Sequence, residues 1–209
     1  LFFYPADFTF VARILYPVNV LGPGKRIGIW FNGCNHHCPG CSNPELWEPQ
    51  ERYKTTLQTL MRLVEHICDN QSVDGFTLTG GDPFAQADAL RQLLPELSKF
   101  SNDILVYTGF DYEEILLKYP ELVSQIGVLI DGKYIQERNN GVVLRGSDNQ
   151  RIIILNDQLT DKYSCYLSTA RNEIQNFTAL DGVISVGIHR PGYEDQVDTL
   201  LRGKGLENI

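Results

Sequence analysis

The chain has 209 residues, 43% of them hydrophobic and 21% charged, which is enough apolar material for one buried core and too much for wholesale disorder. A formal net charge of −8 with no Lys/Arg run excludes a phosphate-gripping nucleic-acid surface as the expected role. No apolar stretch approaches the roughly 18–20 residues of a membrane-spanning helix, and the N-terminus lacks the charged-then-apolar layout of a signal peptide; the cysteine pattern makes the cytoplasm the expected compartment.

In chain order, Ile27–Phe31 reads as a buried strand running into G-C-N-H-H-C-P-G-C (Gly33–Cys41). Thr55–Asp69 sets Leu57, Leu60, Met61, Val64 and Ile67 at helical spacing. Phe76–Leu78 is a short strand ending in T-G-G-D-P, and Ala87–Phe100 is a helix with Leu90, Leu93, Leu94 and Leu97 on one stripe. Asp103–Thr108 is a strand broken by Gly109, followed by short helices, Tyr112–Lys118 and Glu121–Gln125, around Pro120. Val128–Ile130 is a strand ending in D-G-K, and Arg151–Leu155 is another. After Asn156 the chain is polar up to Gln175; a strand-like segment, Val183–Ile188, a Pro-Gly turn and a helix over Glu194–Arg202 follow.

Strands alternating with helices imply βαβ units on a parallel sheet with right-handed crossovers. About five or six strands are too few for a closed eight-stranded barrel. The expected fold class is therefore α/β: an open, partial βα barrel of mostly parallel strands over residues 1–156, with a small α/β extension, 157–209, packed on it. Functional loops of such folds gather at the carboxyl ends of the strands. The cysteines, Gly80–Pro83, Thr108–Gly109 and Asp131–Lys133 all fall there.

Cys34, Cys38 and Cys41 are spaced C-x3-C-x2-C, while Cys68 and Cys165 stand alone. This is not the framework of a disulfide-stapled secreted protein; it points to a reducing compartment and metal ligation. A [4Fe–4S] cluster commonly takes four cysteines, so three leave one iron open. The alternative is zinc with His36 or His37 as fourth ligand, although zinc cysteines usually come as two separated pairs. Gly80 and Gly81 at a strand end let a ligand approach the backbone closely, and Asp82 presents a carboxylate beside backbone carbonyls, a cradle for an ammonium group. The same Asp82, directly before Pro83, reads equally well as a helix N-cap. Asp131 and Lys133 alternate across a strand end, and Arg145, Ser147 and Asn149 alternate ahead of the strand at Arg151. They are candidates either for hydrogen-bonding a nucleoside or carboxylate or for holding a loop.

The cysteine triplet after a first strand and G-G-D-P after a second resemble the radical S-adenosylmethionine (SAM) superfamily, and within it the activating proteins of anaerobic ribonucleotide reductases. The similar stretches are N-V-L-G-P-G-K-R (Asn19–Arg26), the cysteine run, T-G-G-D-P (Thr79–Pro83), Y-T-G-F (Tyr107–Phe110), V-L-I-D-G-K-Y (Val128–Tyr134) and L-R-G-S-D-N-Q (Leu144–Gln150). They occur in order across residues 14 to 156.

The resemblance implies that Cys34, Cys38 and Cys41 hold a [4Fe–4S] cluster whose fourth iron is chelated by the amino and carboxylate groups of SAM. Gly80, Gly81 and Asp82 match the motif that contacts the amino group. Thr108, Asp131, Lys133, Arg145 and Ser147 are the further cofactor-binding candidates, with Lys133 or Arg145 as partner of the SAM carboxylate. In that superfamily the reduced cluster cleaves SAM to methionine and a 5′-deoxyadenosyl radical, which abstracts a hydrogen atom; in activating enzymes this comes from a glycine of a large partner.

The implied partners are SAM, a reduced flavodoxin-like electron donor and a glycyl radical enzyme such as anaerobic ribonucleotide reductase, with no nucleic acid and no membrane. One alternative keeps the chemistry and modifies a peptide or small molecule directly, a reading favoured by the C-terminal extension with its Cys165, His189 and Arg190. Another is a zinc-stabilised binding module without catalysis. The N-terminal L-F-F-Y-P-A-D-F-T-F and residues 157–209 fall outside the resemblance and are expected to cover or gate the rim.

Overall fold

The structure, a computed structural model, describes residues 8–179, 182–190 and 192–203. The first seven residues of the aromatic N-terminal segment therefore lie outside the described residues. The strands are β1 (Phe8–Val18), β2 (Arg26–Phe31), β3 (Lys54–Thr56), β4 (Gly75–Gly80), β5 (Ile104–Tyr107), β6 (Val128–Asp131), β7 (Arg151–Ile154), β8 (Ile174–Ala179) and β9 (Gly182–Gly187). The helices are α1 (Leu57–Asn70), α2 (Ala87–Ser98), α3 (Tyr112–Lys118), α4 (Pro120–Val123), α5 (Thr160–Thr169) and α6 (Tyr193–Gly203).

One seven-stranded sheet has the order β3-β1-β2-β4-β5-β6-β7, and β8 and β9 form a separate hairpin. The central four strands, β2, β4, β5 and β6, are parallel. This is the open α/β sheet expected from the alternation of strands and helices. Parallel strands are covered on both faces, so they read as continuous apolar runs, and all six residues of β2 are buried. On one face, Leu60 and Val64 of α1, Leu90 and Leu94 of α2, Ile115 of α3 and Leu122 of α4 pack against Ile27, Ile29, Phe76 and Leu78. On the other, Val186 joins Val18, Leu21, Trp30 and Leu46, while Tyr163 joins Leu105, Val128 and Ile130. Both C-terminal clusters thus pack on the core sheet.

The flanking strands depart from the winding pattern. β7 pairs antiparallel with β6, because the connection holds only one short 3-10 turn, Gln136–Arg138, and no crossover helix. β1 pairs antiparallel with both β2 and β3. Phe8–Phe10, expected to cover or gate the rim, instead begin this strand. Two elements arise in the segment read only as polar, α5 and β8. α5 is held by polar anchors rather than an apolar stripe: Tyr163 Oη donates to Asp103 Oδ1 at 2.7 Å and Lys162 Nζ to Asp103 Oδ2 at 2.6 Å. Asp103 in turn faces Arg26, whose side chain is fully buried and donates to Asp103 Oδ1 at 2.9 Å and Thr77 Oγ1 at 2.7 Å.

Candidate functional site

The carboxyl ends of β2, β4 and β5 and the loop after β6 open into one cavity of about 180 Å³. Its floor is the cysteine loop, and Cys34, Cys38 and Cys41 all line it. Asn32, the first residue after β2, shapes that loop. Its Nδ2 donates to Glu48 O at 2.9 Å and its Oδ1 accepts from Gln50 N at 2.7 Å, while Cys34 N donates to Trp47 O at 2.8 Å. Residues 46–50 are thereby folded back against the start of the loop, and Cys34 is buried.

β4 ends directly on this loop. Gly81 N donates to Phe31 O at 2.7 Å and Asp82 N to Gly33 O at 2.9 Å. A Cβ at Gly80, where φ is +104°, would lie 2.5 Å from Phe31 O, and one at Gly81 would lie 2.4 Å from Gly33 O. Both positions need glycine because of the neighbouring chain as well as any ligand. With those N–H groups engaged, the strand end offers the cavity acceptors rather than donors.

Asp82 is 1% exposed and its carboxylate is fully engaged. Oδ1 accepts from Phe84 N at 2.9 Å, which is the N-cap alternative, and Oδ2 accepts from Gly109 N at 2.8 Å. Thr108 Oγ1 donates to both oxygens at 3.1 Å. The His36 ring stands against the same carboxylate, with Nε2 3.0 Å from Oδ2 but outside hydrogen-bonding geometry, and meets Phe110 edge-on at 4.5 Å.

Burial pushes the Cys34 thiol up to about 11, with the neighbouring Asp82 and Cys41 charges adding to it and the His36 and His37 N–H groups opposing it. Burial likewise raises Cys38, against the Tyr134 N–H and the Lys133 charge. Both shifts favour the thiol form of Cys34 and Cys38 in the metal-free loop, so a soft cation bound there displaces their protons. Backbone N–H groups already point at sulfur: His36 N at Cys34 Sγ and Asn43 N at Cys41 Sγ, both at 3.4 Å. Among the described residues no three Cys, His, Asp or Glu side chains converge on one metal-ion position. A cubane needs no such point, because each thiolate binds a different iron. Three cysteine sulfurs lining one cavity, with N–H groups directed at two of them, fit an iron–sulfur cluster better than a single zinc ion.

Residues 20–153 match the family of 4Fe–4S single cluster domains. The chain belongs to this family. The anaerobic ribonucleoside-triphosphate reductase-activating protein of Enterobacteria phage T4 is 34% identical over 155 residues, covering 71% of this chain and 89% of that protein. Those of Escherichia coli (strain K12) and Vibrio cholerae are 31% and 34% identical, covering 65% and 66% of this chain and 92% and 93% of the relatives. By these likenesses the chain is a member of the reductase-activating proteins, whose enzymes are glycyl radical activases built on a radical SAM domain.

Of the residues singled out in the sequence, the three cysteines, Gly80, Gly81, Asp82 and Thr108 line the cavity. Asp131, Lys133, Arg145 and Ser147 do not. Asp131 accepts from Tyr112 N at 2.8 Å and pairs with Arg151. Arg145 Nη1 donates to Gln150 O at 3.0 Å, and Ser147 Oγ accepts from Ile135 N at 3.1 Å. These side chains hold loops. Cys165 is exposed on α5, whereas His189 lines the cavity and Arg190 a neighbouring polar cleft. No described helix is long and apolar enough to cross a membrane.

Among the lining residues that were not singled out, Gln150 and the end of β9 stand out. Gln150 lines the cavity; its Oε1 accepts from Gly146 N at 2.8 Å and its Nε2 donates to Gly132 O at 2.8 Å, pinning the loop between β6 and β7. It closes the L-R-G-S-D-N-Q stretch, so the motif marked its position and the alternation argument passed over it. The other is the end of β9, whose apolar pattern is visible in the sequence but whose place at the cavity is not.

Proposed function

We propose that this chain binds SAM at a [4Fe–4S] cluster held by Cys34, Cys38 and Cys41 and activates an anaerobic ribonucleoside-triphosphate reductase by generating a glycyl radical on it. The observation that carries the reading is the convergence of three cysteines and the glycine-rich end of β4 on one cavity. When bound, the reduced cluster supplies the electron that splits SAM to methionine and a 5′-deoxyadenosyl radical able to take a hydrogen atom from glycine.

The chain's own residues provide position and environment. Asn32 fixes the loop that carries the ligands, and the buried Trp30 and Leu46 beneath it keep water from that side. The acceptor-rich end of β4 suits the SAM ammonium, through the backbone of Gly80 and Gly81 rather than the committed Asp82 carboxylate. Lys133 and Arg145 both stand outside the cavity lining; Lys133 is favoured for the SAM carboxylate because Arg145 Nη1 already donates to Gln150 O. A reduced flavodoxin-like protein is the electron donor in this reading, and the cytoplasm its compartment. Mixing the reduced, iron–sulfur-loaded protein with SAM and the reductase should produce a glycyl radical signal by electron paramagnetic resonance. SAM cleavage without that signal on any anaerobic reductase would refute the assigned partner.

A further inference from the structure

Trp47 lines the cavity together with Cys34, Cys38 and Cys41, and its Nε1 is buried with no hydrogen-bond acceptor among the described residues. An indole N–H can only donate, so nothing but an acceptor satisfies it. A buried donor left unpaired is a net cost to the fold and calls for a bound group that supplies the partner. Several other side-chain donors around the cavity are already committed. Tyr107 Oη donates to Leu144 O at 2.8 Å, Gln150 Nε2 to Gly132 O at 2.8 Å, Thr108 Oγ1 to Asp82 at 3.1 Å and Asn43 Nδ2 to Glu45 Oε1 at 3.3 Å. His36 Nε2 stands against the Asp82 carboxylate. The indole N–H has no such neighbour.

Trp47 is held against the cysteine loop. Cys34 N donates to Trp47 O and Gly33 N to Leu46 O, both at 2.8 Å, so the two backbones run side by side. Trp47 also closes the 3-10 turn Pro44–Leu46, its N donating to Pro44 O at 3.2 Å. His37, between Cys34 and Cys38, lies over the indole with ring centroids 5.0 Å apart and a tilt of 31°. Its φ of +48° is uncommon for a residue with a Cβ, and it turns the loop where the two rings meet. The cysteines themselves are served from the backbone: His36 N points at Cys34 Sγ and Asn43 N at Cys41 Sγ, and the Tyr134 N–H acts on Cys38. Trp47 adds a side-chain donor to this set.

We propose that Trp47 Nε1 donates a hydrogen bond to a sulfur of the [4Fe–4S] cluster and raises its reduction potential, an inference that rests on the cluster assigned above. Every sulfur of such a cluster, sulfide or thiolate, is an acceptor, and the whole gains a negative charge on reduction. A donor at its surface is bound more strongly by the reduced state, which makes that state easier to reach. The charged surroundings act in the opposite sense. Asp82 stands beside Cys34 and the chain as a whole is acidic, and negative charge opposes the added electron. Trp47 offsets part of that opposition and so sets how strong a reductant the protein needs.

Trp47→Phe keeps an aromatic ring against His37 and deletes the donor. In the full-length, anoxically reconstituted protein without SAM, potentiometric titration followed by electron paramagnetic resonance should show the one-electron reduction weakened about tenfold, a fall of about 59 mV. A change of less than about twofold in a fully loaded variant overturns the inference. The second readout uses the wild-type protein with a heavy-nitrogen label in its indole rings. Pulsed paramagnetic resonance of the reduced cluster should show a coupling to the labelled nitrogen, and its absence overturns the inference. Trp30 carries the same label and lines the same cavity. The coupling must therefore vanish in labelled Trp47→Phe or, where that variant does not load, persist in labelled Trp30→Phe; the reverse result assigns it to Trp30 and overturns the inference. A wild-type protein that assembles no [4Fe–4S] cluster overturns the proposed function and this role with it. A cluster without the Trp47 signature overturns this role alone.

Discussion

Replacing Asp82 with Ala distinguishes a carboxylate that holds the rim from one reserved for a ligand, and it does so in metal-free protein. The substitution removes the acceptor for Phe84 N, an N-cap interaction worth about 1 kcal/mol. It also strips Thr108 Oγ1 and Gly109 N of their acceptor in a region where Thr108 is buried; each such loss costs about 1–3 kcal/mol. A total near 3 kcal/mol allows for partial rescue by water at Gly109. For a chain of this size 1 kcal/mol moves the melting temperature by about 2–4 °C, so the expected fall is about 6–12 °C. Thermal unfolding of the reduced, iron-free protein followed by circular dichroism measures it. Asp82→Asn should lose roughly half as much, because one oxygen remains to accept while the amide nitrogen faces a donor. A fall below about 3 °C in Asp82→Ala would refute the reasoning and return the carboxylate to the ligand.

Cys34→Ala, Cys38→Ala and Cys41→Ala should each fail to retain iron and sulfide after anoxic reconstitution, while Cys68→Ala and Cys165→Ala retain them; a stable cluster in Cys38→Ala would overturn the ligand assignment. Asp103 is buried, which by itself opposes its ionisation, but Arg26, Lys162 and Tyr163 outweigh burial and hold it below the usual carboxylate range. Its contribution to stability is therefore present above the unfolded value of about 3.9 and lost as pH falls through the lower folded value. Asp103→Ala should cost about 3 kcal/mol at pH 7, since it leaves Arg26 buried without its counter-charge. In urea titrations the gap between wild type and variant should begin to narrow as pH falls below about 3.9, and a gap that does not narrow in acid would contradict the assignment.

The parallel centre of the fold was legible because β2, β5 and β6 are buried and appear as nearly continuous apolar runs, while β4 showed as the short Phe76–Leu78. The helices between them show their stripes for the same reason. β1 was not legible: it is mostly half-buried, carries Arg13 and Pro17, and shifts register twice against β2, which blurs any period-two pattern. α5 escaped because its attachment is the Tyr163 and Lys162 contact with Asp103, a long-range polar arrangement that leaves no periodicity. In the site, the cysteines were legible because covalent spacing alone brings them together. Asp131 was placed at the cavity by the rule that strand ends carry function, and Arg145 and Ser147 by their alternation ahead of β7, but both rules locate a residue without saying which way its side chain turns.

The two acidic strand ends share one job. Asp82 leaves β4 and accepts from Gly109 N; Asp131 leaves β6 and accepts from Tyr112 N. The loop after β5, lying between them, is therefore clamped from both sides by carboxylates of its neighbours. Both carboxylates are buried and their N–H partners partly so, and breaking a hydrogen bond to a charged group there is costly, so these ties hold β4, β5 and β6 together at the rim. On the opposite side of the cavity mouth stand the cysteine loop, Tyr134 and the end of β9. There a second, polar cleft shares Cys41, Tyr134 and His189 with the cavity. On the function proposed above, a glycine-bearing loop of a large partner would approach along that side, past the C-terminal hairpin. The hairpin then bounds both the ligand and its approach, and the rigid rim keeps the cysteine loop in place while that happens.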